Sequence, residues 1–161
     1  MGIKYQGAVL FVEDIQKSRR FYEEVLGQTV VMDHGPNVAF EGEWALWQAD
    51  HAFQMVYGQE RTEETPMGRQ NLELYFETET LDTVRDKLHG AGVPFVHDLR
   101  EQPWGQRVMR IHDPDGHVVE IGEPMPVVVL RFLQQGLTVA EVAARTSMPV
   151  DIVKQLNDLA V

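Results

Sequence analysis

The chain has 161 residues, of which 25 are aspartate or glutamate and 14 are lysine or arginine, and it contains no cysteine. This length fits one domain or one domain with an appendage, the net charge of −11 disfavours nucleic-acid binding, and disulfides and thiolate metal ligands are excluded. Because no apolar run reaches the length of a membrane span and no signal-peptide pattern is present, we expect a cytoplasmic protein without a membrane partner.

The first half of the chain predicts a strand, a helix and then three or four strands. Residues 5–12 form an apolar run of strand length, and residues 15–26 carry apolar side chains at helical spacing. Asp14 is suited to cap this helix and Gly27 to end it. The following strands are predicted at residues 29–32, 38–40, 45–47 and 53–57. Residues 59–69 are polar and are interpreted as a linker.

The same order of elements recurs after the linker. The elements are a strand at 71–77, a helix with Leu81, Val84, Leu88 and Ala91 on one face, and strands at 94–96, 106–112 and 117–122. Gly92 is suited to end this second helix. The repeat predicts an α+β fold in which two paired βαβββ modules, residues 4–58 and 70–124, form a concave sheet cavity within a domain of residues 1–124.

The last two predicted strands flank the turn sequence Asp-Pro-Asp-Gly and predict a β-hairpin. With Gly116 in the left-handed conformation of a bulged loop, Asp113 pairs with His117. In that register Arg110 lies directly opposite Glu120, so a guanidinium and a carboxylate share one sheet surface. This charged pair is a candidate site, and the alternative is a solvated sheet edge.

Residues 125–161 predict a C-terminal appendage of three helices. Pro126 suits the first turn of the first helix, Thr138 and Glu141 form a capping box for the second, and Pro149 opens the third. The last two helices have the spacing of a helix-turn-helix, but the third carries one lysine and two aspartates, which disfavours DNA contact. Packing, a lid or an oligomer contact are the alternatives, and we expect no nucleic-acid partner.

Two βαβββ units, with PWGQR and DPDG-x-x-x-E near the end of the second, resemble the vicinal oxygen chelate superfamily. This superfamily includes glyoxalase I, bleomycin-resistance proteins, fosfomycin-resistance enzymes and extradiol dioxygenases. The resemblance implies U-shaped sheets that enclose a site, commonly shared between the subunits of a dimer. It does not supply the activity, because this fold hosts many activities.

The resemblance also implies four positions for ligands of a divalent metal ion. The two positions that usually hold histidine are Gly7 and Asn71, and the late ligand of the first module falls on Gln48 or Gln54. Only Glu120 matches a usual ligand, and one carboxylate with amide groups is too little for tight binding. We therefore expect no family-type metal site and no cofactor, with Glu120, Gln48 and Gln54 as the remaining candidates.

Alternation along the strands predicts which side chains line the cavity. The expected ligand-binding residues are Phe11, Asn71, Glu73, Tyr75, Trp104, Arg110, His112 and Glu120. Core packing is the alternative for Trp104. Of the six histidines, only His112 is predicted on the cavity face, and we assign the other five to turns and surfaces. Glu73 and Glu120 would repel each other if both were ionised, which makes Glu120 a candidate general base unless Arg110 neutralises the pair.

Three functions follow from these observations. The leading hypothesis is a homodimeric, metal-free protein of the bleomycin-resistance kind that binds a small aromatic or polar molecule. The second is a divalent-metal-dependent lyase, epimerase or dioxygenase, and the third is a ligand-responsive DNA-binding regulator. The homodimer is expected because Trp44, Trp47 and Phe53 need a covering surface. For the two tryptophans, packing in the core of the protein is the alternative. The sequence identifies neither the ligand nor a reaction.

Overall fold

The computed structural model describes residues 3–62 and 66–159 of the chain. The chain divides into two compact units, the first of residues 1–72 and 112–118 and the second of residues 73–111 and 119–161. The described residues contain two four-stranded sheets, which confirms the predicted α+β fold class. The predicted boundary between an independent domain and its appendage, after residue 124, stays a prediction, and part of the predicted linker lies outside the described residues.

The first unit contains the first βαβββ module. Its elements are β1 (Ala8–Val12), α1 (Ile15–Arg20), a π-helical segment (Phe21–Val25), β2 (Val30–Asp33), β3 (Asn37–Phe40), β4 (Trp44–Gln48) and α2 (Ala49–Tyr57). The strand order is β1-β4-β3-β2, with β1 parallel to β4 and the other pairs antiparallel. The predicted strand, helix and first three following strands of this module are confirmed.

The helical segment made of α1 and the π-helical turn that follows it begins after Asp14 and ends before Gly27, as the sequence predicts. The Asp14 carboxylate accepts hydrogen bonds from the backbone amides of Gln16 and Lys17, and Gly27 adopts a left-handed φ of 69°. The predicted helix is not uniform, because it widens into a π-helical turn over Phe21–Val25. Both Phe21 and Tyr22 in this wider turn are buried against the sheet.

The predicted strand at residues 53–57 is wrong, because this segment belongs to helix α2. Ala49 and Ala52 are fully buried and Phe53 is half-buried, which is the spacing of one helix face. The helix ends at Gly58, whose φ of 67° is left-handed. Phe, Val and Tyr favour strands, but burial of the two alanines overrides that preference.

The second unit contains most of the second module. The elements of the module are β5 (Glu73–Glu77), α3 (Leu81–Gly90), β6 (Phe95–Glu101), β7 (Arg107–His112) and β8 (Val118–Gly122), in the strand order β5-β8-β7-β6. His112 and Val118, at the ends of β7 and β8, are assigned to the first unit. The first predicted strand starts too early, because Gln70 has a positive φ of 58° and turns the chain, so Asn71 precedes β5. Met109 and Val119 are fully buried, as the predicted hairpin register requires.

Helices α4 (Met125–Gln134), α5 (Val139–Thr146) and α6 (Val150–Leu159) confirm the predicted C-terminal three-helix appendage. The Thr138 and Glu141 capping box is formed, with the Thr138 backbone amide 2.7 Å from the Glu141 carboxylate. The three helices share a core built around Val128, Phe132, Val142 and Val153. No helix in the described part of the chain is long and apolar enough to cross a bilayer.

A buried carboxylate holds helix α4 within the second unit. The Glu123 side chain is 2% exposed and accepts hydrogen bonds from Arg107 Nε at 2.6 Å and from Arg131 Nη2 at 3.0 Å. Arg131 Nη2 also donates to the carbonyl oxygen of Gly105 at 2.6 Å. A buried carboxylate without its arginine partners would be costly, so the network favours this packing of α4.

We predict that Gly105→Ala destabilises the protein more than Gly136→Ala. Both glycines are left-handed, with φ of 89° and 91°, so alanine costs about 1 kcal/mol at either position. A Cβ at Gly105 would in addition overlap the Phe132 ring, whereas a Cβ at Gly136 meets open space. We expect the Gly105 variant to lose about 1–3 kcal/mol more of the free energy of unfolding, measured by urea denaturation. Equal losses would contradict the overlap.

Candidate functional site

The eight predicted ligand-binding residues fall in both units. The first unit holds Phe11, Asn71 and His112, and the second holds Glu73, Tyr75, Trp104, Arg110 and Glu120. Some of these residues lie close together within their own unit. Arg110 contacts Glu73 and Glu120 in the second unit, and Phe11 and Asn71 line one cavity in the first.

Arg110 joins the two predicted glutamates of the second unit. Its Nε donates to Glu73 Oε2 at 2.6 Å, and its Nη2 forms an ion pair with Glu120, whose side chain is 8% exposed. Its Nη1 lies 3.1 Å from His97 Nε2, a contact that the sequence did not predict. One guanidinium therefore balances two carboxylates, and a general-base role for Glu120 stays a hypothesis.

Tyr75 and Trp104 belong to one hydrogen-bonded chain that passes through Gln106. The Gln106 amide donates to the Tyr75 hydroxyl at 2.7 Å and accepts from the Trp104 indole at 3.0 Å. The Tyr75 hydroxyl in turn donates to the Glu77 carboxylate at 2.8 Å. Burial and the Glu77 carboxylate raise the pKa of Tyr75 to about 12, so this phenol is protonated at neutral pH. The sequence analysis did not name Gln106, which immediately precedes β7.

The first unit contains a cavity of about 310 Å³ that is lined by both apolar and polar residues. The apolar residues include Val9, Phe11, Phe53, Tyr57 and Leu72, and the polar ones include Arg69, Gln70, Asn71 and His117. The Phe53 ring lies 6.0 Å from Phe11 and 5.1 Å from Tyr57, measured between ring centroids. Two of the predicted residues, Phe11 and Asn71, therefore share a cavity.

Helix α2 accounts for two of the aromatic side chains that the sequence analysis missed. Phe53 and Tyr57 are four residues apart on α2, so both project from one face of the helix. In the predicted strand, Phe53 and Tyr57 would also have shared a face, but the sequence did not determine whether that face pointed into the cavity. The spacing of Ala49, Ala52 and Phe53 was the available signal for a helix.

A close backbone contact positions the segment of the cavity lining that carries Arg69. The Gly68 amide donates to the Asp115 carbonyl oxygen at 3.1 Å. A Cβ at Gly68 would overlap the Gly116 carbonyl and lie 2.7 Å from the His117 amide nitrogen. Only glycine fits this approach, which fixes the segment carrying Arg69 beside the hairpin turn.

His117 lines this cavity, although the sequence analysis assigned it to a turn. Its Nδ1 lies 2.9 Å from Asp113 Oδ2, which also accepts from the Tyr22 hydroxyl at 2.8 Å. Burial raises the pKa of Asp113, but the hydrogen bonds from His117 and Tyr22 outweigh it, so the pKa lies below its ordinary value. Burial and the Asp113 charge raise the pKa of Tyr22 well above its ordinary value. Asp113 is therefore a buried anion that favours the proton on Nδ1 of His117.

The remaining predicted aromatic and histidine residues have local partners. His112 Nδ1 lies 3.3 Å from the Gly116 carbonyl oxygen, so this ring contacts the hairpin turn. Trp44 is buried and stacks on Phe40 with centroids 4.3 Å apart, which makes it a core residue. Trp47 is half-buried, and its indole donates to His51 Nδ1 at 2.8 Å.

The residues at the family-type metal positions do not fit a divalent ion. Gln48 uses both amide atoms on backbone groups at the start of α1, at 2.9 and 2.6 Å, and Gln54 is exposed on helix α2. A histidine does not fit at Gly7, because its Cβ would overlap the Glu43 carbonyl oxygen. In residues 3–62 and 66–159, no three histidine, aspartate or glutamate side chains are grouped as a metal site.

The fold and the paired modules define a protein of the vicinal oxygen chelate superfamily. A family model described as a glyoxalase-like domain matches residues 5–126, so the chain belongs to the glyoxalase-like family. No protein of curated function matches the chain. Helices α5 and α6 lie beyond the matched region.

Solved structures agree with this assignment. A protein of unknown function from Agrobacterium tumefaciens is 35% identical, with 77% of this chain and 96% of that chain covered and a TM-score of 0.71. A glyoxalase/bleomycin resistance protein/dioxygenase from Nocardioides is 24% identical over 76% and 85% of the two chains, with a TM-score of 0.59. A lactoylglutathione lyase from Agrobacterium tumefaciens is 20% identical over 77% and 96%, with a TM-score of 0.58. The last two show the fold alone.

We predict that Asp113→Asn destabilises the protein by about 2–3 kcal/mol at pH 7, because hydrogen bonds to a buried charge are lost. The folded pKa of Asp113 is lowered, so its contribution is present above the unfolded value of about 3.9 and is lost as pH falls through the folded pKa. Denaturation at several pH values should therefore show the wild-type advantage shrinking below about pH 4.

The exposed Asp158 gives the control for this prediction. The variant Asp158→Asn should leave the free energy of unfolding within about 0.5 kcal/mol of wild type at every pH. A loss at Asp113 that is unchanged by acid would show that packing, and not the charge, is responsible.

Proposed function

We propose that this glyoxalase-like protein binds a small molecule with an aromatic or apolar body in the cavity of its first unit. The observation that carries the proposal is the mixed lining, in which Phe11, Phe53 and Tyr57 supply apolar surface and Arg69 and His117 supply polar groups. Small-molecule sites typically combine an apolar lining with a few convergent polar groups. The volume lies at the lower end of the usual range, which favours a ligand of about one ring with a polar substituent.

A second cavity of the first unit, about 480 Å³, is less suited to this role. Its lining is mostly apolar and includes Val31, Ala39 and Trp44. Val9, Val31 and Met32 are each about half exposed in the first unit. We propose that a second copy of the chain covers this apolar surface, as expected for a homodimer, and light scattering at micromolar concentration tests it.

A screen of small aromatic compounds by thermal shift identifies a ligand, because binding to the folded state raises the melting temperature. We predict that Phe53→Ala weakens the affinity for the strongest compound about tenfold, because the variant loses aromatic contact area in the cavity. Calorimetric titration measures this change. The exposed Tyr5 does not line the cavity, so Tyr5→Ala should bind as wild type does. Unchanged affinity in the Phe53 variant would place the ligand elsewhere.

A divalent-metal enzyme remains the second candidate, because Glu120 occupies the family's last ligand position. Its carboxylate is paired with Arg110, and the other positions offer glycine and amides. We predict that zinc, nickel or manganese leaves the melting temperature of chelator-treated protein unchanged. A stoichiometric ion that is lost in Glu120→Gln would move the enzyme to first place.

The DNA-binding regulator is not retained in this proposal. Helix α6 carries Lys154 between Asp151 and Asp158, and the net charge of the chain is −11. Such a helix provides little of the electrostatic attraction that dominates non-specific DNA affinity. We propose packing of the second unit as the role of the C-terminal helices, supported by the Glu123 and Arg131 pair.

A further inference from the structure

The charge of the first-unit cavity is opposite to that of the chain. Aspartate and glutamate outnumber lysine and arginine by 25 to 14 in the sequence. Among the described residues that line the cavity, however, none is acidic, and Arg69 and His117 are both present. A described lining that holds a guanidinium and no carboxylate favours a ligand that carries negative charge.

Arg69 and His117 are held near each other by the backbone. Gly68, the neighbour of Arg69, is in van der Waals contact with Gly116, the neighbour of His117, and donates a hydrogen bond to Asp115. Among residues 3–62 and 66–159, the Arg69 guanidinium has one hydrogen-bond contact, a long one of 3.5 Å from Nε to the Pro66 carbonyl oxygen. Its terminal nitrogens have no partner among these residues and have the geometry for a bidentate contact with a carboxylate.

The His117 ring is oriented before any ligand binds. Its side chain is 9% exposed, and Nδ1 faces the buried Asp113 carboxylate at 2.9 Å. Nε2 makes no hydrogen bond with the described residues and is the ring nitrogen left for a ligand. Nε2 donates a hydrogen bond to a ligand when both ring nitrogens carry a proton.

We infer that the ligand is an organic acid with an aromatic or apolar body. Its carboxylate contacts the Arg69 guanidinium and His117 Nε2, and its body packs against Phe11, Phe53 and Tyr57. A carboxylate that accepts a hydrogen bond from Nε2 requires both ring nitrogens to be protonated, so its binding takes up one proton from solvent wherever the free ring is neutral. This inference rests on the proposed function and names its ligand class.

A matched pair of probes tests the inference, 3-phenylpropionate and its neutral amide, 3-phenylpropionamide. Calorimetric titration at pH 7 should give at least tenfold tighter binding of the carboxylate to the wild-type protein. Arg69→Gln and His117→Asn should each weaken carboxylate binding about tenfold and leave amide binding unchanged. Asparagine keeps a donor for Asp113 in place of Nδ1, so His117→Asn removes the ligand contact with little effect on folding.

Arg20→Gln is the control, because Arg20 is exposed, does not line the cavity and carries the same charge as Arg69. It should bind both probes as the wild-type protein does, which separates a local contact from the net charge of the protein. Arg69 is exposed, so its variant remains informative even if His117→Asn fails to fold.

Two results would overturn the inference, and they differ in what they imply for the proposed function. Equal affinity for the two probes, lost together in Phe53→Ala, would refute an acidic ligand while supporting binding in the cavity. Binding of neither probe, together with a screen that yields no ligand dependent on Phe53, would refute both the acid and the cavity.

Discussion

The buried carboxylate of Asp113 is the constraint on which the first unit depends. It accepts hydrogen bonds from the Tyr22 hydroxyl, the His117 ring and the backbone amides of Asp115 and His117. The neighbouring Asp115 side chain accepts from the Glu13 amide and the Ser18 hydroxyl. An ionised carboxylate without these partners would be costly to bury, so the hairpin turn, helix α1 and the core around Tyr22 stabilise one another. The orientation of His117 follows from that arrangement.

The second unit uses a buried carboxylate in the same way. Glu123 joins Arg107 at the start of β7 to Arg131 on helix α4, and Arg131 also lies 4.9 Å over the Phe132 ring. Buried ion pairs add little net stability compared with apolar packing, but they disfavour arrangements in which a charge is left without a partner. In this acidic chain, some carboxylates therefore specify the fold, while those on the surface determine the net charge.

Local signals predicted more of the structure than long-range ones did. The Asp14 cap, the Thr138 capping box and the pairing of Arg110 with Glu120 depend on residues close in sequence or across one tight hairpin. Helix α2 was missed because its aromatic and β-branched residues favour strands, whereas two buried alanines decide the outcome. His117 was missed as a cavity residue because alternation along the predicted strand places it on the face of Val119 and Ile121, opposite to that of Glu120.

The close contact between Gly68 and Gly116 holds the cavity wall in position through main-chain atoms, and the side chains of that wall determine its chemistry. Main-chain atoms hold the segment that follows Gly68, so the side chains at 69, 70, 71 and 72 have no comparable share in placing it. Substitution at these positions can change the polarity and shape of the wall while the backbone stays in place. Related proteins that keep both glycines are therefore free to diverge in ligand preference by exchanging a few exposed side chains, without repacking the core.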